Sequence, residues 1–140
     1  MAHVLETGFE VLNRKNPNGS PTVLGYNIIN GELRTASDGE TFESRNPAWL
    51  DDCLGVFPLS TKKDVNDALV AAREAFSQWS QTPAPTRGQI IGNMGRLLME
   101  HKDDIVRVES REIGKTLKES AGEVQEAIDT CLFFQSEGRR

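Results

Sequence analysis

The sequence predicts an α/β chain, with a small antiparallel β meander over about residues 27–59 followed by four α-helices over about 61–140. Three observations carry that expectation. Short apolar runs in the first part are separated by turn dipeptides, Asn30-Gly31 and Asp38-Gly39. Beyond Ser60 the apolar residues recur at spacings of three and four, the period of a helix with one buried face. Breakers, Thr82-Pro83-Ala84-Pro85-Thr86 and Gly114, stand between the periodic stretches.

Residues 1–26 hold turn-prone polar text around Asn13-Arg14-Lys15-Asn16-Pro17-Asn18-Gly19-Ser20-Pro21, which predicts an extended N-terminal arm. Tyr26-Asn27-Ile28-Ile29 then meets Asn30-Gly31, a type I′ hairpin signal, and Glu32-Leu33-Arg34-Thr35-Ala36 returns as the partner strand. Thr41-Phe42-Glu43-Ser44-Arg45 forms a third strand, stopped by Asn46-Pro47. Cys53 to Leu59 forms a fourth, whose Pro58 belongs at a strand terminus or edge. Thr61 caps the first helix, with Asp64 three residues on as a short acidic capping partner. That helix carries Val65, Ala68, Leu69, Ala72, Ala75, Phe76 and Trp79. The second carries Ile90, Ile91, Met94, Leu97 and Leu98. Its Gly88, Gly92 and Gly95 each cost about 1 kcal/mol relative to Ala, which implies another backbone passing close by. The third runs from Lys102 and ends at Gly114 as a left-handed cap, and the fourth runs from about Lys118 onward. No stop signal follows the fourth helix, so truncation is expected.

Sixteen Lys and Arg against 21 Asp and Glu give a net charge of −5, mixed along the chain, which argues against a nucleic-acid partner. The N-terminus has no cationic start before an apolar core, and no apolar run approaches the ~18 residues of a membrane span. The expected location is cytoplasmic, with no membrane partner. Cys53 and Cys131 have no second Cys or His near them in sequence and read as reduced, at least partly buried thiols. No metal site is expected.

Gly114-Lys115-Thr116 looks like the end of a phosphate-binding loop, but Glu109 stands where that loop needs glycine, leaving a helix cap followed by a solvated lysine. Gly88, Gly92 and Gly95 are spaced GxxxGxxG and not GxGxxG, so they read as packing glycines. His101 lacks a second His four residues away and reads as solvated or capping. Helix four is more informative. At 100° per residue, Glu119, Glu123 and Glu126 share one stripe, while Ala121, Val124, Ala127, Ile128, Cys131, Leu132 and Phe134 fill the other side. Phe133, seven residues after Glu126, falls on the acidic stripe, where an aromatic points to a partner surface or a lined cavity.

From Ile29 to Arg140 the chain resembles the N-terminal part of the aldehyde dehydrogenase superfamily. The residues that carry the resemblance are Ile29-Asn30-Gly31-Glu32, Asn46-Pro47-Ala48, Ala71-Ala72-Arg73-Glu74-Ala75-Phe76 with Trp79, and Arg87. Glu112-x-Gly114-Lys115 and Gly122-Glu123-Val124-Gln125-Glu126-Ala127-Ile128-Asp129 complete the set. The resemblance implies that residues 27–140 form the N-terminal part of a cofactor-binding domain, cut before the nucleotide-binding core, the catalytic domain and the oligomerisation arm. It implies an NAD- or NADP-dependent enzyme, homo-oligomeric when complete, that oxidises an aldehyde to an acid. A cysteine attacks the carbonyl, hydride passes to nicotinamide, and a glutamate-activated water releases the product. The cysteine, the glutamate, the oxyanion-hole asparagine and the cofactor-contacting lysine lie downstream of the matched stretch. Neither Asp51-Asp52-Cys53-Leu54 nor Asp129-Thr130-Cys131-Leu132 matches the nucleophile motif. No catalytic or cofactor-binding residue is therefore expected here, and no cofactor is expected to bind this chain alone. The resemblance also implies that Glu126 lies beside the aldehyde's entry tunnel, with Phe133 on the same stripe. The alternative is a free-standing, non-catalytic helical module that docks on a protein partner.

Overall fold

The computed structural model describes the backbone of residues 4–5 and 9–137 and the side chains of residues 16–137. His3 and residues 138–140, with Arg139 and Arg140, lie outside the described residues. The elements are β1 (Val4–Leu5), β2 (Phe9–Lys15), β3 (Pro21–Leu24), β4 (Asn27–Ile29), β5 (Glu32–Arg34), β6 (Thr41–Arg45) and β7 (Cys53–Pro58). Four helices follow, α1 (Lys62–Gln81), α2 (Ala84–Glu100), α3 (Lys102–Ile113) and α4 (Leu117–Glu137). The chain divides into two compact units, Met1–Ser77 and Gln78–Arg140.

In the first unit the Asn30-Gly31 signal is realised. Both residues adopt positive φ, 54° and 76°, and Ile29 pairs with Glu32 across the turn. This β4–β5 hairpin forms a sheet of its own, apart from a five-stranded sheet ordered β1-β2-β3-β7-β6. A simple antiparallel meander is thus corrected in two respects. Strands from the predicted arm join the main sheet, and β3 runs parallel to β7, with Val23 opposite Gly55 and Leu24 opposite Val56. The reason is long-range. The apolar β7 takes a neighbour on each side, β6 antiparallel through Phe42↔Phe57 and β3 parallel. A Cβ on Gly55 would stand 2.8 Å from the carbonyl oxygen of Val23, so glycine is what lets β3 come that close.

A polar clasp holds the end of the arm. The buried Asn16 carboxamide donates to the carbonyls of Ser20 (3.0 Å) and Cys53 (2.8 Å) and to Thr22 Oγ1 (3.0 Å). Its oxygen accepts the Cys53 N–H at 2.9 Å. Local periodicity gives no warning of such a tie, because its partner is 37 residues away.

In the second unit α4 packs on α2 and α3. Val106 from α3 and Val124 and Ile128 from α4 are buried, flanked by Leu98, Ile105, Ala121 and Leu132. The glycines of α2 do what their cost implied. A Cβ on Gly88 would lie 2.6 Å from the Gln135 carbonyl oxygen, and one on Gly95 would lie 2.9 Å from Cys131 Cβ. Gly122 on α4 faces open space. Gly122→Ala should therefore stabilise the unit by about 1 kcal/mol, the helix-propensity gain. Gly88→Ala should destabilise it, because backbone must move and overpacking costs about 1–3 kcal/mol, more than propensity returns. Urea unfolding followed by helical circular dichroism separates the two signs. A stabilised Gly88→Ala would mean that α2 and α4 do not pack this closely.

Candidate functional site

The site is built on α4, and its geometry starts one turn upstream. Gly114 ends α3 in the left-handed conformation, φ 77°, and Ser110 Oγ donates to the Lys115 carbonyl at 2.7 Å. Thr116 and Glu119 then form a reciprocal cap. The Thr116 hydroxyl and N–H donate to Glu119 Oε2 at 2.8 and 3.2 Å, and Thr116 Oγ1 accepts the Glu119 N–H at 3.3 Å. Sequence reasoning missed this box, although Thr116-x-x-Glu119 ahead of an apolar run is its ordinary signature. The hydroxyl and then the N–H of Thr116 hold the Glu119 carboxyl below its ordinary value.

Lys115 is not the solvated lysine that the sequence implied. Its ammonium pairs with Glu123, and that hydrogen bond holds the lysine above its ordinary value and Glu123 below its own. Glu109 of α3 shares a hydrogen bond with Glu123 and is pushed up by it. Two acids of the stripe therefore have internal duties, Glu119 in the cap and Glu123 in the ion pair. Glu126 is exposed and makes no hydrogen bond or ion pair with another described residue.

Glu126 and Phe133 line one open groove of about 430 Å³ along α4, together with Gln125, Asp129, Thr130 and Phe134. Lys102 donates to Gln125 Oε1 at 2.6 Å, and Gln125 Nε2 donates to Asp129 Oδ1 at 2.9 Å, which orients the Asp129 carboxylate. The rings of Phe133 and Phe134 meet edge to face, centroids 5.3 Å apart. Phe134 was expected with the buried apolar side and is instead 54% exposed; Ala127 is exposed too. The buried seam of α4 is narrower than its apolar pattern, comprising Ser120, Val124, Ile128 and Cys131. Among the described residues, α2 and α3 pack against it. Chemically the groove offers two carboxylates as hydrogen-bond acceptors and two aromatic rings, but no nucleophile.

A second groove, of about 450 Å³, lies between α2 and α4 and is mainly apolar, lined by Ile91, Met94, Cys131 and Phe134 with Arg87 and Glu137. Both thiols are free and buried, and Cys53 Sγ donates to the Gly55 carbonyl, 3.7 Å away. His101 is exposed at the junction of α2 and α3, where its own N–H bonds the Leu97 carbonyl and its ring caps nothing. A dinucleotide phosphate does not fit the glycines present. Gly88, Gly92 and Gly95 are buried in α2 against α4, and Gly114-Lys115 is occupied by a cap and an ion pair. Among the described residues no group of three or more His, Cys, Asp or Glu is placed to hold a metal ion. No described helix is long and apolar enough to cross a membrane.

In the first unit, Asp64 performs the cap expected of it. Its Oδ2 accepts from the Thr61 N–H at 2.7 Å and from the Thr61 hydroxyl at 2.9 Å, and its carboxylate also accepts the Ser37 N–H. The Thr61 N–H leads the causes that hold Asp64 below its ordinary value. Asp64 and Glu119 thus contribute stability that is complete above their ordinary values, 3.8 and 4.5, and is lost as pH falls through the lower folded values. Glu109 runs the other way, favouring the fold below 4.5 and less as pH rises through its raised value. Replacing the first two by Asp64→Asn and Glu119→Gln should flatten the fall of the melting temperature between about pH 5 and pH 3. An unchanged slope in the double variant would remove these caps as the source of acid sensitivity.

The model of the aldehyde dehydrogenase family matches residues 34–140. The α-ketoglutarate semialdehyde dehydrogenase of Haloferax volcanii is 40% identical over 110 residues, 79% of this chain and 23% of the relative. A malonate-semialdehyde dehydrogenase of Geobacillus kaustophilus is 38% identical over 113 residues, covering 81% of this chain and 23% of its own length. Among solved structures, an NAD-dependent aldehyde dehydrogenase from Sinorhizobium meliloti superimposes with a TM-score of 0.79 at 22% identity, over 84% of this chain and 24% of that one. The betaine aldehyde dehydrogenase of Staphylococcus aureus in complex with NAD+ gives a TM-score of 0.76 at 29% identity, over 79% of this chain and 22% of that one. The chain spans less than a quarter of the length of the curated relatives it matches.

Proposed function

Because the chain belongs to the aldehyde dehydrogenase family, we propose that it is the amino-terminal part of an enzyme that oxidises an aldehyde to a carboxylic acid with NAD or NADP, and that it does not turn over alone. In the complete enzyme, thiol attack, hydride transfer and hydrolysis belong to segments beyond this one. Among the described residues Cys53 and Cys131 are buried without a hydrogen-bonded base, and the described glycines do not fit a dinucleotide phosphate. The part assigned to this chain is a wall of the aldehyde's path. Glu126 and Phe133 flank that path, and the observation that supports it is the groove they share, with Glu126 making no hydrogen bond or ion pair among the described residues.

A carboxylate there favours aldehydes bearing an amine or a hydroxyl, through charge-assisted hydrogen bonding. It disfavours the ω-carboxylate of a semialdehyde, the substrate type in the names of the relatives, because like charges repel. The sign of one substitution therefore names the substrate class. In a complete enzyme carrying this segment, Glu126→Ala should lower kcat/KM for an amino- or hydroxyaldehyde by about tenfold or more, the loss of one charged hydrogen bond worth about 1.5–3 kcal/mol. Short aliphatic aldehydes should change little. A gain on a carboxylate-bearing semialdehyde would place the acid near the path but assign the enzyme to acidic substrates. No change on any of them would remove Glu126 from the path.

A further inference from the structure

Two Asn-Gly dipeptides stand in the sequence, Asn18-Gly19 and Asn30-Gly31, and both glycines are left-handed, each with φ 76°. Asn-Gly is open to a reaction of the chain on itself, because glycine has no side chain to keep its nitrogen from the amide carbon of the asparagine before it. The fold separates the two copies. Gly19 N–H donates to the Asn16 carbonyl at 2.9 Å, and Asn18 Oδ1 accepts the Ser20 N–H at 2.9 Å. Asn16 is itself fixed by its buried clasp on Cys53. At Asn30-Gly31 both residues are exposed, and among the described residues neither the Asn30 side chain nor the Gly31 N–H makes a hydrogen bond.

We propose that Asn30 is a self-modification site, deamidated through a cyclic imide, and that Asn18 is kept intact by its hydrogen bonds. Solvent base removes the Gly31 amide proton, and the freed nitrogen attacks Asn30 Cγ. A Cγ–N bond forms and the Cγ–Nδ2 bond breaks, releasing ammonia. Water then adds to one of the two imide carbonyls. Opening at Cγ leaves an aspartate, and opening at the main-chain carbon leaves an isoaspartate, whose backbone runs through the former side chain. Ring closure swings the peptide between Asn30 and Gly31, so the turn must open first. The β4–β5 hairpin permits that, since it has three residue pairs in a sheet of its own, too small to be stable alone. The two products act differently. Asp-Gly serves a type I′ turn as Asn-Gly does, so the aspartate leaves the hairpin in place. The isoaspartate adds a methylene to the main chain inside a two-residue turn, which breaks the pairing of Ile29 with Glu32. Ile28, Ile29 and Asn30 face Ala68, Ala71, Ala72 and Ala75 of α1 across a pocket of about 250 Å³, so the isoaspartate detaches the hairpin from that helix face. The reaction requires no catalytic competence and is independent of the Glu126 assignment.

The 140-residue chain, held folded in mildly alkaline buffer and followed by tandem mass spectrometry of its peptides, should gain about 1 Da at Asn30. That gain should come about fivefold faster or more than at Asn18, which has hydrogen bonds to release before it can react. In concentrated urea the two sites should react at similar rates, because both are then plain Asn-Gly. Equal rates in the folded chain, or faster loss at Asn18, overturn the proposal. So does a folded chain in which Asn30 stays intact over the time that converts the chain in urea. Amide hydrogen exchange at Ile29 and Glu32 should be faster in the purified isoaspartyl form than in the Asn30→Asp variant. Equal exchange in the two would overturn the detachment of the hairpin.

Discussion

Titrated with NAD in a calorimeter, the folded 140-residue chain should give no binding heat at micromolar affinity, and no aldehyde should be oxidised in its presence. The expected loss is the whole of catalysis. Enzymes supply rate factors of about 10⁶ or more by holding reactive groups in attack geometry and by aiming dipoles at developing charge. This chain presents neither in the described residues. Its thiols are buried, its open groove carries carboxylates and rings, the glycines of α2 pack against α4, and Gly114 caps α3. Dinucleotide recognition needs backbone amides free at a helix N-terminus, preceded by a glycine turn that follows a strand. Here α2 is preceded by Pro83, and its glycines are buried against α4. Micromolar NAD binding would overturn the assignment of the cofactor site to the rest of the family's fold.

Ile128→Ala should cost the second unit about 2–5 kcal/mol, enough to unfold much of a small three-helix cluster. Ile128 is fully buried between Val106 and Val124, with only a few partly buried neighbours to close over the cavity. Phe133→Ala on the same helix should change stability by under about 0.5 kcal/mol, since that ring is mostly in water. The two urea midpoints, read by helical circular dichroism, measure the contrast. A cost below about 1 kcal/mol for Ile128→Ala would mean that α4 does not rest on α3 as described. A large cost for Phe133→Ala would mean that its ring is covered, and the groove with it.

Much of the fold was legible because its signals are local. Asn30-Gly31 forces two residues into positive φ, which only a primed hairpin uses. Thr61 and Asp64 satisfy the amides of one helix turn, and Gly114 ends α3 as its lack of a Cβ permits. The cost of Gly88 and Gly95 within a helix pointed to close packing, although not to which helix was close. The box at Thr116 and Glu119 is equally local, a Thr-x-x-Glu spacing ahead of an apolar run.

The candidate site was half legible. The spacing of Glu119, Glu123, Glu126 and Phe133 on one stripe is a property of the 3.6-residue turn and needs no tertiary knowledge. Which of those acids is left available is a different matter. Lys115 closes on Glu123 across the α3–α4 turn, and Glu109 reaches it from another helix. The width of the buried seam was also not legible. Phe134 has the pattern of a core residue, and it is exposed because α2 packs along the Cys131 and Gln135 side of α4 and leaves the Phe134 ring at the rim of that contact.

By itself the sequence determined the family, the order of the helices, the first hairpin and the residues that share the α4 stripe, because each follows from chain geometry over a few residues or from motifs kept in order. Only the tertiary structure decided that β3 runs parallel to β7, that Asn16 ties the arm to Cys53, and that two acids of the stripe are occupied while Glu126 has no partner among the described residues. These rest on contacts between residues distant in sequence or on different elements. Such contacts are set by which apolar surfaces meet, so no local period or propensity records them.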